Sequence, residues 1–268
     1  MTVNTLLVDV DGTLTFRGAM IPGADEAIRA ARRLGYRLRF LTNITAKLPQ
    51  QIADELSSLG LAVVTEEIYT ATTACARYLN DQDRVRCHFM LPEQVLPLFD
   101  GIEVDDKAPD FVVVSDIGAG FTYEALNKAF RMLRNGAGLI ALQKNLFWHD
   151  FDGDKLDCGA FVLGLEAASG KQAAVMGKPA ANFFHQSLAD LGCGVDEIAI
   201  VGDDIKTDIL GAQAIGACNV LVGTGKFDAS QMTAMARKPD FFLNSISELP
   251  GLLADNFRQG ASLKEGQQ

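Results

Sequence analysis

Leu6-Leu-Val-Asp-Val-Asp-Gly-Thr-Leu-Thr15 is the stretch from which the fold is read. Leu6 to Val8 is a short continuous apolar run, the pattern of a strand buried on both faces of a parallel sheet, and Asp9, Asp11 and Gly12 mark its carboxyl end. Open α/β sheets bind their ligands at that end. Two residues apart on extended chain, the carboxylates of Asp9 and Asp11 point the same way and crowd one crevice unless a cation neutralises them. Oxygen ligands suit a hard ion, and Mg²⁺ is the expected one.

Working outward, strand and helix patterns alternate, which predicts parallel strands joined by right-handed crossovers. Pro22-Gly23 precedes a helix over Ala24 to Leu34, with Ala24, Ile28, Ala31 and Leu34 on one face and Gly35 as its stop. Leu38 to Leu41 reads as a strand that delivers Thr42 and Asn43 to its carboxyl end, followed by a helix from Lys47 to Leu59. Glu67 to Thr70 reads as a third strand and Thr72 to Leu79 as a helix, before the polar run Asn80-Asp-Gln-Asp83 that marks a boundary.

From there a second alternation begins. Strands are predicted over Val85 to Leu91, Phe111 to Ser115 and Leu139 to Leu142, and helices over Glu93 to Phe99, Thr122 to Asn135 and Gly159 to Ala168. The polar and aromatic segment Lys144 to Asp157 reads as a loop or hairpin, where function in this module is expected. Ser169-Gly-Lys171 is the second boundary. The last third resumes the first pattern: apolar Ala173 to Met176, then Gly177-Lys-Pro179, a helix from Ala181 to Leu191, a strand from Ile198 to Val201, Gly202-Asp-Asp204, a helix to Ile215 and a strand from Asn219 to Val222. The expected organisation is an α/β core over 1–80 and 172–259, an inserted α/β module over 81–171, and a polar, disordered tail over 260–268.

Composition narrows the partners. A formal charge of -10 with no cluster of Lys and Arg argues against a nucleic-acid surface. The first residues lack the basic start and cleavage site of a signal peptide, and no apolar run reaches the roughly 18 residues of a membrane span, so a cytoplasmic protein with no membrane partner is expected. The five cysteines are scattered and form no C-x-x-C pair, which fits reduced thiols rather than zinc ligands or disulfides.

Asp9-Val-Asp-Gly-Thr-Leu14, Thr42, Lys178 and Gly202-Asp203-x-x-x-x-Asp208 resemble, in order, the four motifs of the haloacid dehalogenase superfamily of phosphohydrolases. The likeness covers nearly the whole chain. The insert between the Thr42 and Lys178 motifs is similar to the C2-type α/β cap of the NagD-like branch. Within that branch it is similar to relatives of the type of haloacid dehalogenase-like hydrolase domain-containing protein 2 and of phospholysine phosphohistidine inorganic pyrophosphate phosphatase. The resemblance implies a Rossmann-like parallel-sheet core with an inserted cap. It also implies a Mg²⁺-dependent phosphatase that acts on a small phosphorylated substrate through an aspartyl phosphate.

Each residue then takes an implied role. Asp9 is the nucleophile, and the apolar strand before it argues against an ordinary solvated loop acid. Asp11 is the general acid and then the general base, with its backbone carbonyl on the metal. Gly12, Thr42 and Asn43 bind the phosphoryl group. Lys178, held between Gly177 and Pro179, offsets the charge of Asp9 and of the phosphoryl group. Asp203 is a direct metal ligand and Asp208 an outer or water-mediated one, while Asp204 serves either as a helix cap or as an outer contact. Asn145 is the candidate specificity residue of the cap.

His88, His149 and His185 lack ligand spacing and read as structural. Gly192-Cys-Gly194 follows a helix and is no dinucleotide fingerprint, and Gly118-Ala-Gly120 is a turn. A receiver-like signalling domain is disfavoured by the order of the motifs and by the insert, and a silent binding protein by the retention of Asp9 and Asp11. A phosphomutase on the same scaffold is the alternative enzyme. A cap sheet also offers a homodimer surface.

Overall fold

The computed structural model describes residues 3–150 and 153–255, with only the backbone for 149, 150 and 255. The expected tail over 260–268 and the middle of the aromatic segment, 151 and 152, lie outside the described residues. Two compact units form, one from the described parts of Met1–Thr42, Pro49–Tyr69 and Ala181–Gln268, the other from Asn43–Leu48 and Thr70–Ala180.

The first unit is built on a six-stranded sheet in the spatial order Phe241–Leu243, Cys218–Val222, Ile198–Gly202, Thr5–Asp9, Arg37–Thr42, Ile68–Thr70. Thr5–Asp9 runs parallel to both its neighbours, with Val8 opposite Val201 on one side and Phe40 on the other. All five of its residues are buried, and Leu6, Leu7 and Val8 have no exposed surface, as the unbroken apolar run requires. Each such side chain contributes about 1.5–3 kcal/mol by leaving water, so the position of Asp9 at the end of this strand is tightly fixed. Asp9 pairs with Leu41, and Gly202 with Leu221. Thr42 and Asp203, one residue further along, therefore leave the sheet at the same edge as Asp9.

The helix Ala24–Arg33 matches its sequence pattern. Ala24, Ala27, Ile28, Ala30 and Ala31 are buried, Asp25 and Glu26 lie in its first turn, and Arg32 and Arg33 in its last. Each charge complements the helix dipole by about 0.3–1 kcal/mol. The predicted helix after Asp204 begins instead as a π-helical turn, Ile205–Ile209, before the α-helix Leu210–Ile215.

The second unit holds a five-stranded parallel sheet in the order Ala173–Val175, Gly138–Ala141, Phe111–Val114, Arg86–Met90, Glu103–Val104. Alternate residues feed two cores. Val113 and Ile140 pack with Ala71, Cys75, Leu79 and Cys87, whereas Val112, Val114, Leu139 and Ala141 pack with Ala129, Leu133, Val162 and Leu165. Lys144 to Asp157 contains a hairpin of Phe147–Asp150 and Gly153–Leu156. Glu93–Phe99, predicted as an α-helix, is a 3₁₀ helix with Pro97 inside it, because proline supplies no backbone donor and crowds the preceding turn.

The sequence boundaries differ from this grouping at both ends. The helix Ala71–Asn80, assigned to the core by sequence, buries Cys75 and Leu79 against Cys87 and Val113. Ala173–Val175, read as the return to the core, is the edge strand paired with Gly138–Ala141. Sequence shows that a segment is a strand, but not which sheet has an open edge for it. None of the five cysteines forms a disulfide, and burial pushes the thiols of Cys75, Cys87 and Cys158 well up. Among the described residues no helix is long and apolar enough to cross a membrane.

Candidate active site

The carboxylates of Asp9, Asp203 and Asp208 meet at the carboxyl edge of the first sheet. Each offers an oxygen within 4.8 Å of the others, and all three residues are buried. Charges of one sign so close in a site shielded from water repel strongly unless a cation or protons intervene. The donors are all hard oxygens, the set that Mg²⁺ prefers.

The structure corrects one expectation here. The strand ends at Asp9, and the chain turns at once, with the amides of Leu14 and Thr15 both donating to the Val10 carbonyl at 2.9 and 3.0 Å. Asp11 is exposed while Asp9 is buried, so the two carboxylates do not share the environment that unbroken strand alternation predicts. The carboxylates found close to that of Asp9 are those of Asp203 and Asp208. Asp11 is not in the carboxylate group found among the described residues.

Close backbone approach holds Asp203 in place. Gly12 has φ +101°, and a Cβ there would stand 2.2 Å from Asp203 Oδ2; on Gly225 it would stand 2.1 Å from the same oxygen. That oxygen accepts from the Lys226 amide at 2.6 Å, Oδ1 accepts from the Thr13 hydroxyl at 3.3 Å, and the Thr224 hydroxyl donates to the Gly12 carbonyl at 2.6 Å. Sequence reasoning missed Thr13, Thr224, Gly225 and Lys226. The signal available was Gly223-Thr-Gly225, directly after a buried strand that ends at this same edge.

Asp208 is placed in the same way. A Cβ on Gly202 would stand 2.3 Å from its Cγ, and its Oδ2 accepts from the Asp204 amide at 3.1 Å. Asp204 caps the turn, its Oδ1 accepting from the amides of Lys206 and Thr207 at 2.8 and 3.3 Å, with Lys226 Nζ 3.8 Å from its other oxygen. Of its two expected roles, the cap is therefore the one its contacts support.

This packing makes a specific prediction. Gly12→Ala should both strain a left-handed backbone position, at about 1–2 kcal/mol, and displace Asp203. Turnover should fall about 10²-fold, the usual cost of an ångström-scale misplacement, with a lower melting temperature by calorimetry. Wild-type kinetics in that variant would mean that the position of Asp203 is not set by this contact.

Thr42 is buried at the end of its strand. Asn43 and Lys178 belong to the second unit, where they are hydrogen-bonded to each other. Asn43 Nδ2 donates to the Lys178 carbonyl at 3.0 Å, and the Lys178 amide donates to Asn43 Oδ1 at 2.9 Å. Lys178 is only 4% exposed and is followed by a cis peptide bond to Pro179. Gly177 is needed here, since a Cβ would stand 2.6 Å from both Asn43 Oδ1 and the Leu142 carbonyl. Asn145 lies half-buried just beyond Leu142. His88 pairs with Asp106 at 2.6 Å, an ordinary structural contact.

Residues 6–103 match the family model described as haloacid dehalogenase-like hydrolase, and residues 175–249 match a second described as HAD-hydrolase-like. Haloacid dehalogenase-like hydrolase domain-containing protein 2 of Mus musculus is 39% identical over 228 residues, covering 85% of this chain and 87% of that protein. Phospholysine phosphohistidine inorganic pyrophosphate phosphatase of Xenopus laevis is 33% identical over 258 residues, 94% of each chain. Among solved structures, NagD from E. coli K-12 superposes with a TM-score of 0.87 at 27% identity, covering 92% of this chain and 98% of its own. The 4-nitrophenylphosphatase of Thermotoga maritima does so with 0.87 at 26% identity, covering 94% and 97%.

Proposed function

The chain belongs to the haloacid dehalogenase-like hydrolases, and from that premise we propose that it is a Mg²⁺-dependent phosphatase that hydrolyses a small phosphorylated substrate in two steps. The observation that carries this reading is the meeting of Asp9, Asp203 and Asp208 at one sheet edge. Their oxygens, with the Asp11 backbone carbonyl, would hold the ion. Mg²⁺, when bound, supplies positive charge against the carboxylates and the phosphoryl oxygens.

Asp9 attacks phosphorus through a carboxylate oxygen. The bond from phosphorus to the leaving oxygen breaks, and Asp11 gives that oxygen its proton. Exposure of Asp11 suits this role, because the same carboxylate must then take a proton from the water that attacks the aspartyl phosphate and returns Asp9 to its free form. Thr42 and Asn43 hydrogen-bond the phosphoryl oxygens. Lys178 offsets their charge, the electrostatic contribution that dominates phosphoryl transfer. Choice of the leaving group falls to residues of the second unit, with Asn145 as the candidate.

A panel of p-nitrophenyl phosphate, acetyl phosphate, phosphohistidine, inorganic pyrophosphate and sugar phosphates, read by free phosphate, tests the reading. Stoichiometric phosphate release from at least one is expected. A positional isomer formed without free phosphate would make the protein a mutase, and silence on the whole panel would contradict phosphatase activity.

A further inference from the structure

We infer that Gln143 and Asp157 are positioning residues that fix the segment Lys144 to Leu146, and with it Asn145, as the part of the second unit that selects the leaving group. The inference rests on the phosphatase reading above. Gln143 is 2% exposed and uses both ends of its amide. Its Nε2 donates to Asp157 Oδ1 at 2.5 Å, and its Oε1 accepts from the backbone amide of Asn145. Asp157 Oδ1 also accepts from the Cys158 amide at 2.7 Å, which caps the helix Cys158–Ser169.

The backbone closes the same loop from the other side. The Gly159 amide donates to the Asn145 carbonyl and the Asp157 amide to the Leu146 carbonyl, each at 3.0 Å. A Cβ on Gly159 would stand 2.3 Å from the Lys144 carbonyl, so helix and loop touch without a side chain between them. Lys144 Nζ in turn reaches both oxygens of the buried Glu166, at 2.8 and 3.0 Å.

The place where the loop starts gives this rigidity its use. The Leu142 carbonyl and Asn43 Oδ1 both lie against Gly177, so the loop leaves its sheet beside the Asn43–Lys178 pair. A plain connection to the hairpin would need no buried carboxylate. Asp157 is costly there: burial and the nearby Asp116 push its carboxyl up, against the pull of the Cys158 amide and of Gln143. A satisfied buried network of this kind specifies one conformation.

Gln143→Met tests this, removing both hydrogen bonds at similar volume, with p-nitrophenyl phosphate and acetyl phosphate as the probes. KM for the aryl ester should rise about five- to tenfold, the loss expected for one or two hydrogen bonds. KM for acetyl phosphate, whose leaving group is small, and kcat for both should stay within about twofold, and the Asn145 amide should exchange faster with solvent. Equal changes on both substrates, an unchanged aryl KM, or an unchanged Asn145 amide would each overturn the inference. If Gln143→Met fails to fold, Asp157→Ser keeps a helix-capping oxygen for Cys158 but withdraws the carboxylate oxygen that Gln143 reaches, and is read in the same way. Failure of the phosphatase reading is distinct, since the wild-type protein would then release phosphate from neither substrate.

Discussion

Asp9→Asn should lower kcat by about 10⁴-fold or more, the scale seen when a nucleophile is removed, without loss of the folded state. An amide fills the same space but does not attack phosphorus, so the first step has no substitute. The fold should tolerate the change because the strand is held by Leu6, Leu7 and Val8, all fully buried, and not by the carboxylate. In the metal-free protein the substitution removes one of three buried carboxylates that repel one another within 4.8 Å, so the melting temperature should stay constant or rise. A fall in stability together with activity would instead make Asp9 a structural residue.

Removal of the divalent cation is the second large effect. EDTA should take turnover to background and Mg²⁺ should restore it, because Lys178 by itself does not offset the charges at Asp9, Asp203 and Asp208 facing a phosphoryl dianion. The same ion should stabilise the fold, since it binds the assembled carboxylates and not the unfolded chain. At a hundredfold excess over its dissociation constant the gain is about 2.7 kcal/mol, several degrees in melting temperature. Asp203→Asn should remove most of that thermal shift. Chelation without effect on either readout would refute the metal site.

Legibility of the chain followed the physics of each feature. Thr5–Asp9 and Ile198–Gly202 were legible because strands buried on both faces read as apolar runs whose polar ends mark the sheet edge, and Arg37–Thr42 remained legible although its run is interrupted by the buried Arg39, which pairs with Asp190. One rule therefore places Asp9, Thr42 and Asp203 at or just past the ends of strands that share a sheet edge. The difference in burial between Asp9 and Asp11 was not legible, because strand periodicity does not register the turn that the Val10 carbonyl closes directly after Asp9. The cradle of Asp203 was missed since Gly12 and Gly225 act through the absence of a side chain, across more than two hundred residues of sequence. Ala173–Val175 has the composition of any short strand, and only pairing with Gly138–Ala141 assigns it to its sheet. The buried tie from Gln143 to Asp157 leaves no local pattern either, since glutamine and aspartate most often face solvent.

The most direct test is a rapid acid quench of the Asp11→Asn variant during its first turnover with p-nitrophenyl phosphate and Mg²⁺, followed by peptide mass spectrometry. Without the Asp11 carboxylate to activate water, the peptide that carries Asp9 should gain one phosphoryl group in step with nitrophenol release. Nitrophenol and phosphate appearing together while that peptide stays unmodified would contradict the assignment of Asp9 as the phosphoryl acceptor.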